Sequence, residues 1–353
     1  MSTDDTTPAA RVRLDSIGGL IASLPALLGF VPAQSVVVIS TRRENGTNRI
    51  GAMARADLPT DPADAEGLAA AVHARIARSG ADAVNVVIVA EHDEQGEELP
   101  HRTLVAAVAA TFAASGIETA HTVWTPRVAA GASWRCYDRC GCTGTVADPS
   151  GSAVAAHRAM TGAVTYATRA EAVAALGADV DAASPARRAL LNAAHEQGET
   201  ARRAAVGQAA RDDLDQVRDA AAAVGRGEVL PASTVARVVA ALTDKAVRDV
   251  AIGFALGTDP QVAADDATRL WWTLIRWAPA PEVAEPATLL ALASVPRGSA
   301  IVFTAALERA QAADPGHQLS WLLMSLIEQD GGPQNVEKVM ADGAREAAWA
   351  LGL

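Results

Sequence analysis

Residues 81–91, "ADAVNVVIVAE", limit the architecture of this chain more than any other stretch. Gly80 precedes a nearly unbroken run of β-branched residues, and acids follow it. Such a strand is too apolar for a sheet edge and belongs at a sheet's centre. The flanking sequence supplies its neighbours. Upstream, "QSVVVIS" reads as a second buried strand, followed by Asn45-Gly46, the strongest short hairpin signal, so "RIGAMARAD" should return antiparallel. Alternation in the returning strand puts Ile50, Ala52, Ala54 and Ala56 inward, with Arg49, Arg55 and Asp57 outward.

Helical periods separate these strands. Ile17, Leu20, Ile21, Leu24, Leu27 and Leu28 repeat at helical spacing behind Asp15 or Ser16 as a cap, and Pro25 predicts a kink or two short helices. A Pro-containing turn, an amphipathic helix and a Gly stop fill "LPTDPADAEGLAAAVHARIARSG". Another helix from about Arg102 to Ser115 leads into a strand at "GIETAHTVW", and "TPRVAAGAS" turns the chain back into a last strand at "WRCYD". The order β-β-α-β-α-β-β predicts an α/β domain with a mixed sheet.

From about Gly151 onward no convincing strand remains. Residues 152–180 read as two short helices around "TGAVTYATR", the second capped by Thr168 and Glu171. Asn192 to Ala223 reads as one long helix with a solvated charged face. Further helices alternate with Pro- and Gly-containing breaks. One tetratricopeptide-like hairpin cadence occurs near "AALERAQAADPGHQLSWLLMSLIEQ", but no regular repeat period is present. The predicted organisation is a disordered N-terminus at 1–10, an α/β domain at 11–150 and an all-α domain at 151–353.

A formal net charge of −11 argues against nucleic acid as a partner. Residues 16–41 carry no charge, but Pro25, Gly29 and Pro32 interrupt them, so no membrane anchor is expected. Three cysteines make no disulfide framework, and a cytoplasmic protein is expected. The phosphate-loop, dinucleotide, zinc-protease and nucleophile-elbow motifs are all missing from the sequence.

"LLGFVPAQSVVVIS", "RADLP" and "GADAVNVVIVAE", with the cysteine stretch and "RLWWTLIRWAP" through "ALERAQAADPGHQLSWLL", resemble the actinobacterial domain of unknown function family 4192. The resemblance covers nearly the whole chain. It implies an uncharacterised cytosolic protein and carries over no catalytic residue. Family members tend toward adjacent cysteines followed by proline, whereas here Gly141 separates Cys140 from Cys142 and Thr143 follows.

Strand direction places the candidate sites. If right-handed crossovers connect the three co-directional strands, their carboxyl ends share one edge, which in open α/β sheets is where ligands bind. That edge gathers Asp57, Glu91, His92 and Asp93 as candidate catalytic or metal-binding groups, and Pro32, Gln34, Ser35 and Arg127 as candidate ligand contacts. A histidine between carboxylates can act as a general base. A solvated acidic loop is the competing reading for "EHDEQGEE".

Cys136, Cys140 and Cys142 should lie toward the opposite edge. Zinc is admissible there but not favoured: Cys-x3-Cys-x-Cys is not a standard knuckle, and the nearest histidines by sequence, His121 and His157, have no fixed short spacing to the thiols. Trp272 follows the core-facing Trp271 and is a candidate exposed anchor for a partner. The preferred functional reading is non-catalytic binding of a small molecule or protein partner, with the helical half as scaffold and the cofactor unknown. The alternative is a metal-dependent hydrolase or transferase at the acidic edge.

Overall fold

The computed structural model describes residues 16–44, 47–92, 98–160, 162–330 and 333–353. The expected disordered terminus at 1–10, the Asn45-Gly46 turn and Asp93 lie outside them. The chain divides into two compact units, residues 1–169 and 170–353.

The first unit runs α1 (Ile17–Leu28), β1 (Ser35–Glu44), β2 (Thr47–Asp57), α2 (Ala65–Ile76), β3 (Ala83–Val89), α3 (Arg102–Ala114), β4 (Glu118–Thr125), β5 (Ser133–Cys136), β6 (Thr143–Thr145) and α4 (Ala153–Met160). One mixed sheet holds the strands in the order β2-β1-β3-β4-β5-β6. β1 pairs antiparallel with both β2 and β3, β3 pairs parallel with β4, and β4, β5 and β6 follow as antiparallel neighbours. β3 is therefore interior, as its apolar run requires.

Two apolar layers flank the sheet. Val36, Val38, Val84, Val86, Ile88 and Trp124 face one way, onto Val72, Ile76, Leu104, Val108 and Phe112 of α2 and α3. Val37, Ile39, Val87, Val89 and Val123 face the other way, onto Leu20, Ile21 and Leu24 of α1. The alternation follows from the two-residue period of a strand, and burial of both faces explains why β3 is apolar at every position but Asn85. Ser16 caps α1 by accepting from the Gly19 amide at 3.0 Å, and α1 remains one helix through Pro25.

Three local expectations differ from the structure. β6 was not anticipated, because "TGT" carries no apolar residue and is held by pairing with β5. Ile50 is 39% exposed where β2 outruns its cover. Arg55, expected outward, has only 14% of its side chain exposed, because the Phe30 ring lies 5.5 Å from its guanidinium on that face.

The second unit contains α5 (Arg169–Ala175), α6 (Pro185–Ala204), α7 (Val206–Gly225), α8 (Ala232–Leu242), α9 (Lys245–Leu256), α10 (Ala264–Trp277), α11 (Ala284–Ser294), α12 (Ala300–Ala313), α13 (Gln318–Asp330) and α14 (Pro333–Ala350). α11 is buried around almost its whole circumference, the pattern of a central helix, and it packs on α8, α9, α10, α12 and α13. The single long helix expected over 192–223 is two helices. Ala205 breaks it with extended backbone, and α7 packs back on α6. The reversal lets Arg202 reach Asp213 at 3.4 Å and Asp244 at 3.8 Å, so tertiary pairing overrides the continuous helical pattern. Among the described residues no helix is long and apolar enough to cross a membrane.

Candidate functional site

Two clusters in the first unit carry chemistry-bearing side chains. The first is the rim where the carboxyl ends of β2, β3 and β4 meet the start of β1. Ser35 pairs with Asp57 on one side and Val89 on the other, and Val89 pairs with Thr125. The strand directions thus bring "GFVPAQS" alongside Asp57 and the segment leaving β3.

The rim's polar groups are mostly occupied by one another. Ser35 is fully buried; its Oγ donates to the Ala33 carbonyl at 2.6 Å and accepts from Arg55 Nε at 2.9 Å. Arg55 also pairs with Asp57 at 2.5 Å. Gln34 is exposed and left-handed (φ 43), and its carbonyl accepts the Leu58 amide at 3.0 Å, which stitches the entry of β1 to the exit of β2. Pro32 is buried and Arg127 exposed.

Glu91 and His92 are exposed. His92 Nε2 lies 3.1 Å from the Glu98 carbonyl, and its ring meets Trp124 edge-on at 6.3 Å. Nearby His101 begins α3 with φ 55; burial, then the charge of His92, lowers its pKa. Asp57, Glu91 and His92 do not form a compact ligand trio. Among the described residues the one group of three or more His, Cys, Asp or Glu ligand atoms within 4.8 Å of one another is His121, Cys136 and Asp138.

That trio belongs to the second cluster, the turn between β5 and β6. Cys136 pairs with Val123, and Tyr137 N–H donates to the Thr122 carbonyl at 2.8 Å, so the antiparallel register continues past the end of β5 and sets Asp138 opposite His121. His121 shares a strand face with Val123 and hence with Cys136. The β3–β4 ladder is irregular just before His121. Such bulges re-aim side chains, and this one accompanies the placement of an imidazole at the turn.

Asp138 Oδ2 accepts from Cys136 Sγ at 3.1 Å and from the Thr122 amide at 3.2 Å. The Cys142 amide donates to Cys140 Sγ at 3.4 Å, and the Cys136 amide donates to the Cys142 carbonyl at 2.9 Å. Gly141, at φ 64, supplies the left-handed residue that folds the turn between Cys140 and Cys142. Burial, followed by the Asp138 carboxylate, pushes the Cys136 thiol up to about 12. Cys140 is shifted the other way, toward thiolate, by hydrogen bonds from the Cys142 side chain and amide and from Cys136. All three thiols are free of disulfides, Cys136 half-buried and the other two exposed.

Sequence spacing named the thiols but not Asp138, and it left His121 unselected from His157. The cross-strand register separates the two histidines. In the second unit Trp272, expected as an exposed anchor, is half-buried, whereas Trp321 and Trp349 are 54% and 82% exposed. Their positions carried no sequence signal distinct from core tryptophans.

The family model described as a domain of unknown function (DUF4192) matches residues 18–333. No curated protein and no solved structure matches the chain.

Proposed function

Since the chain belongs to the family described as a domain of unknown function (DUF4192), a description that assigns no activity, we propose from its own geometry that it is a non-catalytic binding protein. In this reading the helical unit presents a surface to a protein partner. The observation that carries it is the exposure of Trp321 and Trp349 on α13 and α14. Large exposed aromatics are costly in water and enriched at interfaces. Trp321 is held ready, its indole N–H donating to the Pro315 carbonyl at 2.8 Å while the ring stays open. On α14, Asp342, Arg345, Glu346 and Trp349 line one shallow depression, with Arg345 paired to Asp342. An aromatic anchor beside paired charges is the pattern of an interface core with a polar rim.

The competing reading, a metal-dependent hydrolase or transferase at the rim of the sheet, has less support. Asp57 is engaged by Arg55, and His92 is held at a backbone carbonyl. A small molecule at the same rim would meet Ser35 and Asp57 already paired with Arg55.

The test is a photo-reactive residue at Arg345 or Trp321, irradiated in the native host. Binding predicts one discrete adduct, at the mass of a partner or of a second copy, that disappears in the Trp349→Ala protein. No adduct above the unirradiated control, or one indifferent to Trp349→Ala, would overturn it.

A further inference from the structure

We propose that Cys136, Cys140, Cys142 and His121 form a binding site for a soft divalent metal ion, zinc being the natural occupant, with Asp138 as its supporting carboxylate. The proposal is independent of the partner reading, since it concerns the other unit and a different surface.

Convergence is the first argument. The ligand atoms of His121, Cys136 and Asp138 lie within 4.8 Å of one another, and the turn that follows carries Cys140 and Cys142, folded back by the Cys136 amide donating to the Cys142 carbonyl at 2.9 Å and the Cys142 amide donating to Cys140 Sγ at 3.4 Å. Three sulfurs, an imidazole nitrogen and a carboxylate thus surround one turn. Thiolate and imidazole together select zinc over magnesium or calcium, which take oxygen. Three thiolates and one neutral histidine would complete a tetrahedral, closed site of the structural kind.

The division of roles follows from present partners. Asp138 already accepts from the Thr122 amide, which fixes its carboxylate, and it accepts the Cys136 proton. Metal binding replaces that proton: the three thiols coordinate as thiolates, their three protons leave for solvent, and three thiolates, a neutral imidazole and a dication together carry net −1 beside the Asp138 carboxylate. The carboxylate freed from Cys136 can then take the second ring N–H of His121, which is the usual outer support of a metal-bound histidine. Cys140 and Cys142 are exposed on the turn, so turning their side chains toward the ion would leave the core undisturbed. The Cys142 amide is already directed at the Cys140 sulfur, a bond that strengthens when sulfur carries charge.

The site also has structural work to do. β5 and β6 have four and three residues, and they end the sheet. Such short edge strands contribute little pairing of their own, and a metal bound across their connecting turn and β4 would clamp them.

The experiment uses the reduced, untagged full chain, purified without imidazole. Bound metal is measured by plasma mass spectrometry, followed by titration of the chelator-stripped protein with Co(II). The expected result is one metal per chain and the absorption of tetrahedral Co(II)–thiolate. Cys140→Ala and Cys142→Ala should each abolish stoichiometric binding, His121→Ala should weaken it at least as much as Asp138→Asn, and Asp138→Asn should cost about 10- to 100-fold. Hydrogen exchange at residues 137–145 should slow on zinc addition. Circular dichroism of each stripped variant confirms the fold, and both thiol variants alter exposed positions. Absence of both copurified metal and a Co(II)–thiolate spectrum in the wild-type chain overturns the site. Full retention of affinity in Cys142→Ala or His121→Ala overturns the ligand set, as would a Cys140–Cys142 or Cys136–Cys140 disulfide recovered as the form present in the host.

Discussion

Replacement of Gly18 by alanine tests how α1 seats the edge of the sheet. Gly18 is buried on α1, and an ideal Cβ there would lie under 3.0 Å from the Thr145 carbonyl oxygen of β6 and 3.4 Å from Trp134 Nε1. The obstructing atom is backbone, so either the helix or β6 must move. Overpacking of this kind costs roughly 3 kcal/mol at the upper end of its usual range. Against it stands the gain from replacing a helical glycine by alanine, about 1 kcal/mol, mostly through the unfolded state. The net expectation is a loss of about 2 kcal/mol for the first unit, about 30-fold in the opening equilibrium. Gly67 of α2 is the control: no atom lies within 4 Å of its ideal Cβ. Gly67→Ala should therefore keep the whole propensity gain and stabilise by about 1 kcal/mol, near fivefold. Native-state hydrogen exchange of the β3 amides, Ala83–Val89, reads the opening of this unit. Exchange about 30-fold faster in Gly18→Ala and about fivefold slower in Gly67→Ala is expected. If Gly18→Ala slows exchange, or if both variants shift it alike, the close approach of α1 and β6 is not what opposes a side chain.

Three further outcomes follow from local contacts. His101→Asn should relieve a left-handed residue by about 1 kcal/mol at neutral pH. Because the folded His101 pKa is depressed, its contribution is present above the unfolded value of about 6.5 and is lost as pH falls through the folded one, so the Tm advantage of the variant should widen on acidification; a constant advantage would remove His101 from the acid response. Trp271→Ala should cost about 3–5 kcal/mol because Trp271 is fully buried, while Trp349→Ala stays within about 0.5 kcal/mol; denaturant melts that place the two together would contradict their burial. Arg187 donates to the Trp277 carbonyl at 2.9 Å, pairs with Asp179 and Asp181 and lies over the Trp277 ring, so Arg187→Lys should lower the stability of the helical unit by about 1–3 kcal/mol, and an unchanged Tm would show that the fork is dispensable.

Strand direction was the most legible property of this chain. The Asn45-Gly46 signal and two helical connections were enough to orient β1 to β4, because hairpins reverse a strand and right-handed crossovers do not. Side-chain exposure was less legible. Alternation marks faces but not what covers them: Arg55 was assigned to water, yet Phe30 and Ser35 enclose it. Trp272 shows the same limit. The helical period placed Trp271 in the core correctly, but α10 packs on α7, α9 and α11, which leaves little of its circumference for a free indole. The exposed tryptophans, Trp321 and Trp349, lie instead on α13 and α14, where fewer helices pack.

The thiol turn shows why linear spacing understates a site built across strands. Cys-x3-Cys-x-Cys compares poorly with a zinc knuckle because a knuckle supplies its ligands along one chain segment. Here the proposed nitrogen ligand comes from the neighbouring strand, and the quantity that matters is register. Cys136 faces Val123, and two residues further along each strand Asp138 faces His121. A slip of one residue would send His121 to the opposite face of the sheet, away from all three sulfurs. Register is pinned by Val123 and Trp124, which pack into opposite apolar layers, so the core that fixes the fold also fixes the approach of imidazole to thiol. A Val123→Thr substitution, which keeps the strand's shape while weakening its burial, should therefore loosen metal affinity along with stability, whereas a site held by the turn alone would lose stability and keep its metal.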